Sequence, residues 1–231
     1  MSEVLLSAFG IFGKAGNKMI RPRISILGDS YSSYEGWLPA GYHTWYFDGQ
    51  SELTTDVNDV RQTWWWQLCQ EEEMVLLRNS SYSGSTICNT GYDDNAAEFS
   101  FITRMKEDLG EKNVQNSKPD ILFVFGGTND SWAGSPVGEV KYADWTKEEL
   151  YSFAPAFCYM MDYLTKWNPG TKIYHITNME TTPAIQMVIA EACEHYGIEN
   201  IILEPLDLQN GHPTRKGMRQ IKNQVVQYLY K

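Results

Sequence analysis

The chain is expected to be an α/β protein: a three-layer α/β/α sandwich around a five-stranded parallel sheet in the order 2-1-3-4-5. Three observations predict it. Five short apolar runs are continuous rather than alternating, which suits strands buried on both faces. Stretches of helical period separate them, as parallel strands require. Neither a repeat nor a low-complexity linker divides the 231 residues, so one domain over 1–231 is expected, with residues 1–20 as an N-terminal arm.

The strand candidates are Ile24–Leu27, Met74–Arg78, Ile121–Phe125, Lys172–Thr177 and Asn200–Leu206. Between the third and fourth, Thr146 and Glu149 have capping-box spacing. Leu150, Phe153, Phe157, Met160 and Leu164 then form a stripe that Pro169-Gly170 ends. Pro155 would kink that helix or reset its start. A later helix has Thr182 as N-cap, Pro183 at its first position and Gly197 past its end. The last helix runs from about Thr214 to Tyr230, and Arg61–Glu72 and Ala97–Leu109 are weaker candidates. The stretch from Tyr31 to Val60 lacks a periodic element, and loops that long are usually functional. Ten aromatics lie between Tyr31 and Trp66, among them Trp37, Trp45 and Trp64.

Composition narrows the function. The chain is 42% hydrophobic and 21% charged, enough apolar residue for a real core. Its 19 Lys and Arg against 29 Asp and Glu leave a net charge of −10. Such a surface repels phosphate backbones and anionic lipid, so neither a nucleic acid nor a membrane is an expected partner. The run Val4–Phe12 lacks a basic flank and a convincing cleavage site, which leads to the expectation of a cytoplasmic protein. The four cysteines contain no C-x-x-C pair, and the four histidines have no paired spacing. No metal site is expected.

In an open parallel sheet, ligands bind beyond the carboxyl ends of the strands. There the chain places Gly28-Asp29-Ser30-Tyr31-Ser32 after the first strand and Asn79-Ser80-Ser81-Tyr82-Ser83-Gly84-Ser85-Thr86 after the second. Gly126-Gly127-Thr128-Asn129-Asp130 follows the third, and Asp207-Leu208-Gln209-Asn210-Gly211-His212-Pro213 the fifth. Together they supply a hydroxyl nucleophile, an imidazole base, a carboxylate and oxyanion donors, the parts acyl transfer needs. A G-x-S-x-G elbow, a P-loop and a G-x-G-x-x-G are all missing.

In these blocks the sequence resembles the SGNH hydrolases, the GDSL-like esterase and lipase superfamily. Ser30, Gly84, Asn129 and His212 match the four residues that name the family, in order, over nearly the whole chain. The resemblance implies a flavodoxin-like fold and a serine esterase of carboxylic esters with no metal or organic cofactor. It implies Ser30 as nucleophile and His212 as base, with an oxyanion hole formed by Ser30, Gly84 and Asn129. Asp29, Tyr31 and Trp132, which adjoin these positions, are expected to bind substrate.

One position departs from the family. The acid usually stands three residues before the histidine, where this chain has Gln209. Asp207, five before, is the expected substitute; a Ser–His dyad oriented by a backbone carbonyl is the alternative. The aromatic loop and the acidic surface favour acyl, in particular acetyl, groups on carbohydrates as substrate. Two other enzyme readings remain, a lipase or thioesterase of the same superfamily and a phosphoryl-transfer enzyme using Asp29. A non-catalytic flavodoxin-like binding module is a third.

Overall fold

The computed structural model describes residues 21–49, 55–110 and 118–231; the arm read over residues 1–20 lies outside them. Five strands, β1 (Arg23–Gly28), β2 (Val75–Ser81), β3 (Ile121–Phe125), β4 (Lys172–Thr177) and β5 (Glu199–Ile202), form one parallel sheet in the order 2-1-3-4-5. The helices are α1 (Trp64–Glu71), α2 (Ala96–Phe99), α3 (Phe101–Leu109), α4 (Thr128–Ala133), α5 (Phe153–Trp167), α6 (Pro183–Tyr196) and α7 (Arg215–Leu229).

Alternation along β3 divides the core. Leu122 and Val124 face a cluster built with α3, α5 and α6, whereas Ile121, Phe123 and Phe125 face one built with α1 and α7. All five β3 side chains are buried. Each such side chain contributes about 2 kcal/mol by leaving water, which is why this central strand reads as an unbroken apolar run.

Several boundaries differ from those the sequence predicts, each for a local reason. β2 continues to Ser81 because Asn79, Ser80 and Ser81, although polar, are buried and bonded. β5 stops at Ile202, so Leu206 and Asp207 lie beyond the sheet. The helix expected over 97–109 breaks at Ser100, whose hydroxyl caps α3 by accepting from the Thr103 N–H. The Thr146–Glu149 box forms in both directions, but it leads into only a single 3₁₀ turn over Glu149–Tyr151.

The long helix then starts at Phe153, with Pro155 in its first turn, where no intrahelical N–H is required. Its orphan Phe153 and Ala154 N–H groups donate instead to the carbonyls of Pro136 and Val137, 2.8 and 2.7 Å away. Pro183 opens α6 and Gly197 closes it in the left-handed region, as the sequence predicts.

The aromatic segment after β1 packs mostly inward. Tyr31, Tyr34, Tyr46, Trp64 and Trp65 are buried in the α1/α7 core. The two indoles also hold the turn that follows β1: Trp64 Nε1 donates to Ser32 Oγ at 3.1 Å, and Trp65 Nε1 to the Ser32 carbonyl at 2.9 Å.

Candidate active site

β1 ends at Gly28, which pairs with Ser81 on one side and Phe125 on the other, so three loops leave the sheet side by side. In the first, Asp29 turns the chain: its carboxylate accepts from the Tyr31 N–H at 3.0 Å and caps the 3₁₀ turn Ser30–Ser32. Ser30 sits at the head of that turn.

Near the C-terminus, Leu208–Gln209 and His212–Pro213 form a two-stranded antiparallel ribbon, β6 and β7, in which Gln209 pairs with His212. Asn210 and Gly211 connect them with φ of 50° and 74°, the two positive values an Asn-Gly hairpin turn of type I′ requires. The ribbon delivers His212 to the Ser30 turn. His212 Nε2 and Ser30 Oγ are 2.9 Å apart, and Nδ1 lies 2.9 Å from the Asn210 carbonyl oxygen. A carbonyl only accepts, so Nδ1 carries the proton and Nε2 is left to accept from the Ser30 hydroxyl. Burial lowers the His212 pKa from its usual value to about 4, opposed by the bond to Asn210.

Asp207 is not part of this arrangement, which corrects the expectation drawn from its position. Its carboxylate accepts from the Thr214 hydroxyl and lies 3.4 Å from Lys216 Nζ. Thr214 is the N-cap of α7, accepting from the Gly217 N–H at 3.2 Å, so Asp207 serves the helix start. The reason is geometric: the two-residue turn brings a backbone carbonyl to Nδ1. Gln209 is exposed.

Asn129 is the second residue of α4. Its Nδ2 donates to the Ser85 carbonyl at 3.0 Å, and its Oδ1 accepts from the Tyr92 hydroxyl at 3.1 Å. Gly84 lies in the loop that this bond secures, with φ of 86° and open space where a side chain would project. The buried Asp130 carboxylate ties the same loop to α4, accepting from the N–H groups of Ile87 at 2.8 Å and Cys88 at 3.1 Å. Burial raises its pKa to about 6.

Of the three expected substrate contacts, only Trp132 is open to solvent; it is 40% exposed and meets the His212 ring edge-on at 5.8 Å. Asp29 and Tyr31 are completely buried, so they are corrected to supporting roles. Burial raises the Asp29 carboxyl to about 7. The Tyr31 hydroxyl donates to the Gly211 carbonyl at 2.7 Å and braces the hairpin.

Three site residues were given no role by sequence reasoning. Arg104 is fully buried beneath the loops, donating to the carbonyls of Phe99 at 2.8 Å and Gly28 at 2.9 Å, to Ser85 Oγ at 2.8 Å, and to the Ser80 carbonyl. Burial lowers its pKa to about 10. An arginine within the Phe101, Met105 and Leu109 stripe of α3 was the available signal. Tyr92 carries no local signal. Trp45, one of the ten clustered aromatics, stacks on His212 with ring centroids 3.7 Å apart and planes 8° from parallel.

Comparison with known proteins places the chain in a family. Residues 22–229 match the model of the GDSL-like lipase/acylhydrolase family. A Bacteroides uniformis structure described as a GDSL-like lipase is 46% identical, with a TM-score of 0.83 over 90% of this chain and 95% of that one. A second, from Bacteroides ovatus, is 42% identical, with a TM-score of 0.84 over 91% of this chain and 99% of that one. A carbohydrate esterase family 2 enzyme from Corynascus thermopiles shares the fold at 14% identity, with a TM-score of 0.62 over 93% of this chain and 67% of that one. Among curated proteins, none matches the chain. The match over nearly its whole length shows that the chain belongs to the GDSL-like lipase/acylhydrolase family.

Proposed function

We propose that the protein is a serine esterase that cleaves carboxylic esters through an acyl-enzyme on Ser30, acting on acyl, in particular acetyl, groups of carbohydrates. The observation that carries the reaction type is the 2.9 Å contact between Ser30 Oγ and His212 Nε2, with the ring's tautomer set by Asn210. In this reading His212 Nε2 takes the Ser30 proton as Oγ attacks the ester carbonyl. The tetrahedral oxyanion accepts from the backbone N–H groups of Ser30 and Gly84 and from Asn129 Nδ2. The imidazolium then gives its proton to the leaving alcohol. Water, deprotonated by the same nitrogen, attacks the acyl-enzyme and releases the acid and free Ser30.

The carbohydrate preference is supported by two aromatic side chains, Trp132 against the His212 ring and Tyr92 bonded to Asn129. Trp132 and Tyr92 are 40% and 51% exposed, and their flat faces suit sugar rings. The experiment compares acetate release from acetylated oligosaccharides with hydrolysis of p-nitrophenyl acetate and of a long-chain p-nitrophenyl ester, for the native protein and Ser30→Ala. The expected result is activity on both acetyl substrates, little on the long chain, and loss of several decades in the variant. A Ser30→Ala protein that keeps a tenth or so of native turnover contradicts the nucleophile. A preference for the long chain contradicts the substrate class.

A further inference from the structure

Acyl transfer through Ser30 makes the His212 ring cationic twice in each cycle, and among the described residues no carboxylate bonds to it. Its Nδ1 partner is the neutral Asn210 carbonyl. What lies against the ring instead is the face of Trp45, nearly parallel at 3.7 Å between centroids. The faces of aromatic rings carry negative potential, and a planar cation stacked on an indole is attracted to it. Trp132 and Tyr31 meet the same imidazole at 68° and 55°, so neither presents its face in this way.

The placement of Trp45 is built into the nucleophile turn. Ser33 Oγ accepts from the Trp45 N–H at 2.8 Å and donates to the Ser30 carbonyl at 3.0 Å, so one hydroxyl joins the two backbones. Among the described residues the buried Trp45 Nε1–H has no acceptor.

We propose that Trp45 is a positioning residue that stabilises the imidazolium form of His212 through its π-face, supplying from the face of the ring the electrostatic support that the neutral Asn210 carbonyl at Nδ1 does not. This inference rests on the Ser30–His212 esterase reading. Among the described residues the groups around the ring are Ser30 and Tyr31 from the nucleophile turn, Trp45 from the loop, Trp132 from α4 and Asn210 from the hairpin. Among them the Tyr31 phenol titrates, and burial, with the Asp29 and Glu180 carboxylates, holds it neutral.

The test replaces Trp45 with mono-, di- and trifluorotryptophan at that single position, which drains the π-face while nearly keeping its shape. Two quantities are read: kcat for p-nitrophenyl acetate and the acid limb of kcat/KM. The expected result is a stepwise fall in kcat to about a third or a tenth with trifluorotryptophan. The acid limb should move to lower pH, because a weaker π-face favours the neutral ring. A purely steric role for Trp45 leaves both flat across the series, and that result overturns the proposal. Ser30→Ala in the same assay tests the esterase reading separately. In that variant, NMR titration of His212 still decides the stacking, because its pKa should fall with each added fluorine and a constant value refutes the proposal.

Discussion

The carbonyl oxygen of Asn210 lies 2.9 Å from Nδ1 of His212, two residues along the chain, and no carboxylate of the described residues bonds to that nitrogen. The histidine is therefore oriented by its own hairpin turn. Several consequences can be measured.

The first is a pH profile. The ring acts as a base only when neutral, and burial lowers its pKa from the usual value of about 6.5 to about 4. A lowered pKa keeps the base form in place as pH falls. Acetate release should give a kcat/KM that is level down to about pH 5 and declines near 4. A decline centred between about 6 and 7 would show an unperturbed histidine.

Asp207→Asn should leave turnover within about threefold of native, since removing a triad carboxylate costs several decades where one operates. The asparagine amide oxygen can still accept from Thr214, so α7 keeps its start. A loss of a hundredfold in kcat would place the carboxylate back in the mechanism.

Tyr92→Phe removes the donor that fixes the amide of Asn129. One neutral hydrogen bond is worth about 1 kcal/mol, so kcat should fall about fivefold. KM should change less, because the amide is assigned to the oxyanion and not to the ground-state ester. A change confined to KM would make Tyr92 a substrate contact only.

Arg104→Lys replaces a planar fork that serves Phe99, Ser80, Gly28 and Ser85 with a single point donor. Buried carbonyls lose their partners, and urea unfolding should show a loss of about 2–4 kcal/mol. An unchanged midpoint and slope would mean that these bonds contribute nothing net.

By itself the sequence determined the sheet, its order and where along the chain the candidate site residues stand. A strand buried on both faces must be apolar throughout, so β3 and β4 could be read within their own few residues. The blocks holding Ser30, Gly84, Asn129 and His212 were legible because each directly follows a strand or precedes the last helix. The Asn210-Gly211 turn was also written in the sequence, as the commonest two-residue hairpin signal, yet its effect on Nδ1 depends on where the ring points.

Tertiary structure alone decided which groups reach the histidine. Asp207 is five residues away but bonds to Thr214, while Trp45, 167 positions earlier, covers the ring. Arg104 and Tyr92 likewise bond to residues far from them in sequence, Gly28 and Asn129. Local pattern records which side chains must be buried, because burial is a property of a periodic face. Hydrogen-bond and stacking partners are set by ångström distances between segments that meet only once the chain is packed.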